Sequence, residues 1–134
     1  MYLKTISFSL NGVNRLKRIL VVGDHKEIRN LLSKYFLLNG YEVDAVEDGG
    51  TAMKKVKEKG YDLVVTDYMM PKMNGIELIR RLKGYDPSLS ILIISGSGVG
   101  EPFFREAGAD AFLAKPLDLS SMKILVEEIL NSKK

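Results

Sequence analysis

The chain has no cysteine, so disulfides and thiolate metal sites are excluded and nothing points to an oxidising compartment. Its apolar runs stop far short of the ~20 residues that a membrane-spanning helix needs. No single sign of charge dominates the body of the chain. The formal net charge is +3, but residues 1–18 hold Lys4, Arg15, Lys17 and Arg18 and no acid. The basic excess therefore sits at the amino end and the remainder is slightly acidic, which argues against a nucleic-acid surface on a folded domain. That basic end also lacks the apolar core and cleavage site of a signal peptide. Residues 1–17 are expected to be a flexible extension, the location cytoplasmic, and the partners neither nucleic acid nor membrane.

What is present suits a soluble domain. A length of 134 residues is about one domain, and 46% hydrophobic with 28% charged residues allows a core without staples. From Arg18 to the end the pattern alternates strand and helix, which sets the domain at 18–134. ILVV (19–22) reads as a buried strand, and Ile28, Leu31, Leu32, Tyr35 and Phe36 follow at helical spacing up to a stop at Asn39-Gly40. YEVDAV (41–46) reads as a partly exposed strand, 48–59 as a Lys-rich helix and YDLVVT (61–66) as a third strand. IELIRRLK (76–83) predicts a short helix broken by Gly84, Asp86 and Pro87, followed by LSILIIS (89–95) as the fourth strand. A short helix over 101–107, a strand over ADAFLA (109–114) and a helix started by Pro116 and Asp118 complete the pattern. Five such alternations predict an α/β doubly wound parallel sheet with helices on both faces.

In an open parallel sheet, ligands bind outside the carboxyl ends of the strands. Asp24, Asp67, Ser95 and Lys115 follow the first, third, fourth and fifth strands, so topology alone gathers them along one edge. Two carboxylates offer a site for a hard cation that keeps much of its water, such as Mg²⁺. A carboxylate can also attack phosphorus to give an acyl phosphate. A metal ion and a lysine would then offset charge on the phosphoryl oxygens, and a hydroxyl could donate to one of them. Each residue has a plainer role as well. Asp24 could cap the helix after it, Asp67 could be a turn residue before Pro71, Ser95 a strand-end hydroxyl and Lys115 a solvated charge. His25 reads as a first-turn surface residue, Met69, Met70 and Met73 as loop packing, and Phe103-Phe104 as anchors for the short fourth helix.

The blocks ILVVGDHKEIRNLL (19–32), DLVVTDYMMPKMNGIELIRRL (62–82), ILIISG (91–96) and EAGADAFLAKPLD (106–118) resemble the receiver domain of two-component response regulators, of the chemotaxis-regulator type. The resemblance runs from residue 18 to about 131, and DYMMPKMNG joined to a downstream AKP carries most of its specificity. It implies a flavodoxin-like (βα)5 three-layer sandwich with strand order 2-1-3-4-5. It also implies that Asp67 is the phosphoacceptor, that Asp24, Asp67 and the backbone carbonyl of Met69 hold Mg²⁺ or Mn²⁺, and that Ser95 and Lys115 bind the phosphoryl group. Phe112 would change rotamer on activation, and Pro116 would follow a cis peptide. The implied partners are a sensor histidine kinase or histidine phosphotransfer protein, and a downstream effector on the fourth and fifth helices and fifth strand. The protein would assist its own phosphorylation and slowly lose the group, without being an enzyme on an external substrate. Met69 and Ser97 are neither acidic nor amide, so self-hydrolysis is expected to be slow. The residues after Lys115 suffice for one helix and not for a DNA-binding effector.

One position departs from the pattern. The family has two adjacent acids after the first strand, and here the first is Gly23, which implies weaker Mg²⁺ binding. An alternative is therefore a receiver-like adaptor that binds partners without phosphorylation. A phosphatase of the haloacid-dehalogenase type needs a second Asp two positions after its nucleophile, where this chain has Met69. The glycines between Ser95 and Lys115 work against the fourth helix and leave only 101–107 for it.

Overall fold

The computed structural model describes residues 15–96, 98 and 100–132. Its five strands are β1 (Arg18–Val22), β2 (Glu42–Val46), β3 (Leu63–Asp67), β4 (Ser90–Ser95) and β5 (Ala111–Ala114). Helices α1 (Lys26–Leu38), α2 (Gly49–Glu58), α3 (Gly75–Tyr85), α4 (Glu101–Ala107) and α5 (Leu119–Asn131) alternate with them. All pairings are parallel, and the order is β2-β1-β3-β4-β5.

Alternation along the strands builds the two faces of the core. Ile19, Val21, Leu63, Val65, Leu92 and Ile94 turn to one side and meet Leu32 and Phe36 of α1 and Met122, Val126 and Leu130 of α5. Leu20, Val64, Ile91 and Ile93 turn to the other and meet Ala52, Val56, Leu78, Ile79, Leu82 and Phe104. β1, β3 and β4 are buried on both faces, which explains their unbroken apolar runs. β2 lies at an edge and is mostly partly exposed.

The ends of the helices and strands are set by local chemistry. Asp48, Asn74 and Asp118 accept hydrogen bonds from the backbone N–H groups of Thr51, Glu77 and Ser120 and so cap α2, α3 and α5. Gly40 and Gly108 adopt φ of 94° and 118° after α1 and α4, a region open to glycine at little cost. Two further carboxylates tie down the amino ends of strands. Asp62 accepts from the N–H of Arg18 and Asp110 from the N–H of Ile91, both at 2.8 Å. Tyr61 donates to Asp44 at 2.6 Å, with Lys59 beside the same carboxylate at 2.9 Å. Burial, and then Asp44, push the Tyr61 hydroxyl well above its ordinary pKa, and that hydrogen bond lowers Asp44. Lys17 is tied to β2 by the bond from Glu42 N–H, and residues 1–14 of the expected extension lie outside the described residues.

The structure corrects several expected boundaries. β3 begins at Leu63, because Tyr61 is engaged with Asp44, and it runs through Asp67. β5 begins at Ala111, after Asp110 has turned to cap β4. α4, by contrast, forms over Glu101–Ala107 as expected, despite the glycines before it. Gly84 does not break α3, which continues to Tyr85. A glycine inside a helix costs only about 1 kcal/mol, and the buried Leu78, Ile79 and Leu82 outweigh that. A Cβ at Gly84 would meet nothing within 4 Å. Gly84→Ala is therefore expected to raise stability by about 0.5–1 kcal/mol in urea unfolding.

Candidate functional site

The predicted residues converge at the carboxyl edge of the sheet. Val22 pairs with Thr66, so Gly23 at the tip of β1 lies beside Asp67 at the end of β3. Asp67 pairs with Ile94, which puts Ser95 one step further along on β4. Ser95 pairs with Ala114, and its carbonyl accepts from the N–H of Lys115 at 3.0 Å. Lys115 leads into a cis peptide to Pro116.

The decisive contact is between two of these side chains. Lys115 Nζ lies 3.0 Å from Asp67 Oδ1, with the carboxylate only 7% exposed and the lysine 35% exposed. Their positions follow from the strand period. Asp67 continues the face of Leu63 and Val65, and Lys115 continues that of Ala111 and Leu113, so both turn to the α1 and α5 side. A buried carboxylate needs a partner, and a well-packed apolar pair would often be at least as stable. This ion pair is therefore better explained by chemistry than by stability. The contrast with Asp62 and Asp110 is clear, because those acids satisfy backbone N–H groups at the amino ends of strands.

The other predicted residues differ widely in burial. Asp24 is exposed and does not cap α1, whose N-cap is His25 without a side-chain bond. Met69 is 67% exposed in the loop after β3, whereas Met70 and Met73 pack on the core. The packing expected of all three methionines holds for two. Ser95 is buried and continues the face of Ile91 and Ile93, the face that also holds Phe112. Phe112 stacks on Phe104 with centroids 5.2 Å apart. Phe104 also meets Tyr68, the residue after Asp67, edge-on at 5.1 Å. Ser97 lies outside the described residues.

Comparison with known proteins agrees with this geometry. A family model described as the response regulator receiver domain matches residues 19–127. The chain belongs to this family. It is 36% identical over 117 residues to the response regulator receiver protein CpdR of Brucella abortus, covering 86% of this chain and 98% of CpdR. It is 34% identical to the response regulator MprA of Mycobacterium tuberculosis, over 87% of this chain and 52% of MprA, so it spans about half the length of that relative. A crystal structure of a receiver domain protein from Clostridium thermocellum superposes with a TM-score of 0.83 at 26% identity, over 88% of this chain and 97% of that one.

The general function of receiver domains is phosphorylation-based signalling, with the domain as phosphoacceptor and not as a conventional enzyme. They are generally Mg²⁺-dependent. Among the described residues no helix is long and apolar enough to cross a membrane.

Sequence reasoning passed over two supports of this receiver's site. Gly75 lies just outside the helix read over 76–83, but it opens α3 and donates its N–H to Tyr68 O at 2.7 Å. A Cβ there would lie 2.6 Å from the carbonyl oxygen of Asp67. Arg29 on α1 donates to the carbonyl of Gly23 at 2.8 Å, fastening the tip of β1. The Asn-Gly pair ahead of an apolar helix was a signal for the first. Nothing local signalled the second.

Proposed function

We propose that Asp67 is the phosphoacceptor of this receiver and takes its phosphoryl group from a histidine kinase or histidine phosphotransfer protein in the cytoplasm. The observation that carries this reading is the ion pair of the buried Asp67 carboxylate with Lys115, at 3.0 Å on the carboxyl edge of the sheet. A carboxylate oxygen of Asp67 attacks phosphorus, the P–N bond of the phosphohistidine breaks, and the imidazole leaves with its electron pair. Lys115 then faces the phosphoryl oxygens in place of the free carboxylate, and Ser95 supplies a hydroxyl from the neighbouring strand.

The donors present fit Mg²⁺. Gly23 lies against Asp67, so the Asp24 that follows it is at the same edge, and the carbonyl of Met69 follows in the β3–α3 loop. Among the described residues no three acidic or histidine side chains cluster to hold an ion, but Mg²⁺ binds through one or two carboxylates and keeps several waters. When bound, the metal neutralises phosphoryl charge. Mn²⁺ suits the same oxygen donors.

The readout surface is α4, β5 and α5. Tyr68, Phe104 and Phe112 form a run of touching rings from the residue beside Asp67 to β5. A change at the acceptor can thereby bias the packing of Phe112 and the surface offered to an effector. The non-switching adaptor is disfavoured, since a surface that only docks has no use for a buried carboxylate paired to a lysine.

Intact-mass spectrometry after incubation with acetyl phosphate and Mg²⁺ tests the reading. A single phosphoryl adduct is expected, absent from Asp67→Ala. No adduct, together with no binding of beryllofluoride, would overturn it.

A further inference from the structure

Asp24 is exposed, and it does not cap α1, whose N-cap His25 makes no side-chain bond. Packing therefore does little to place its carboxylate, and the main chain at the tip of β1 decides where that side chain starts. This main chain passes through Gly23, and glycine restrains its own torsions less than any other residue. Two hydrogen bonds supply the restraint instead. The N–H of Gly23 donates to Val46 O at 3.1 Å, and the carbonyl of Gly23 accepts from Arg29 at 2.8 Å.

The second bond is the one that reaches Asp24. The carbonyl of Gly23 and the N–H of Asp24 belong to one planar trans peptide, so a donor that fixes the first fixes the plane from which residue 24 departs. Arg29 is placed to do this. It is half-buried on α1, and it borders one cavity with Gly23, Thr66 and Asp67 and another with Val46, Glu47 and Asp48. It stands where the tips of β1, β2 and β3 meet.

We propose that Arg29 is a positioning residue for the metal-binding edge: through the carbonyl of Gly23 it sets the main chain from which Asp24 presents its carboxylate. This rests on the reading of that edge as a Mg²⁺-dependent acceptor site. The sign of the effect separates positioning from plain electrostatics. A cation beside a cation site opposes metal binding. If the charge of Arg29 were all that mattered, its removal would leave Mg²⁺ affinity unchanged or raise it. Positioning requires a fall.

The test is a double-mutant cycle in Mg²⁺ affinity, measured by calorimetry on the unphosphorylated protein. Arg29→Met keeps the apolar stem and removes the donor. It is expected to bind Mg²⁺ about tenfold more weakly than wild type, as when a residue orienting a metal ligand is changed. In an Asp24→Ala background the same change is expected to have no further effect, because the side chain it positions is already gone. Equal or tighter binding by Arg29→Met overturns the proposal. So does a tenfold loss that recurs in the Asp24→Ala background, and so does a wild type that binds no Mg²⁺. Should Arg29→Met fail to fold, Arg29→Gln, whose shorter side chain brings no donor to the carbonyl, takes its place with the same two expectations. The acceptor reading stands or falls separately, on the phosphoryl adduct at Asp67.

Discussion

Phe104→Ala is expected to destabilise the protein by about 3–5 kcal/mol, the range for emptying a fully buried aromatic site. Phe104 is 0% exposed at the centre of the layer between the sheet and α3–α4. Three rings surround it: Tyr68 at 5.1 Å, Phe103 at 5.5 Å and Phe112 at 5.2 Å, the last nearly parallel at 21°. Each such pair adds about 0.5–1.5 kcal/mol beyond burial. α4 has seven residues and offers no other buried side chain, so it cannot re-anchor on a neighbouring turn. The melting temperature should fall by roughly 10–20 °C. Phe104→Leu keeps most of the volume, loses the ring contacts and should cost less. A loss below about 1 kcal/mol for the alanine variant would show that the ring is not the anchor of α4.

The same residue shows where the sequence was readable and where it was not. α4 forms over 101–107, the span read as a short helix, although the glycines before it argue against a helix there. Which of Phe103 and Phe104 points inward is not legible in the sequence, because a two-turn helix has too little periodicity to fix its face. Phe103 is 45% exposed and Phe104 is buried. The site was more legible than its surroundings. Asp67, Ser95 and Lys115 stand at strand ends, and parallel topology brings strand ends together whatever the details of packing. The ion pair follows from the two-residue period of β3 and β5. Gly84 misled because a breaker's modest local cost was weighed without the buried face of α3. Asp110 was read into β5 because its partner, the N–H of Ile91, lies across the sheet. These are tertiary facts, and local pattern does not encode them.

Gly75→Ala is expected to have the opposite sign from Gly84→Ala, although the same atoms are added to the same helix. At Gly84 the new methyl meets open space. At Gly75 it would lie 2.6 Å from the carbonyl oxygen of Asp67 and 2.9 Å from both the α-carbon of Tyr68 and the Cδ1 of Ile93. Two of those three atoms are backbone, and Ile93 is itself fully buried, so nothing nearby can step aside cheaply. Overpacking of this kind costs about 1–3 kcal/mol and sometimes more. The gain in helix propensity is at most about 1 kcal/mol, and the clash prevails. The relief must come from the backbone of Asp67 and Tyr68, which also carries the 2.7 Å bond from Gly75 N–H to Tyr68 O. The variant should therefore lose stability in urea unfolding and also form the phosphoryl adduct on Asp67 about tenfold more slowly than wild type, even where it remains fully folded. Unchanged stability together with an unchanged phosphorylation rate in Gly75→Ala would show that the β3–α3 loop is looser than this packing requires.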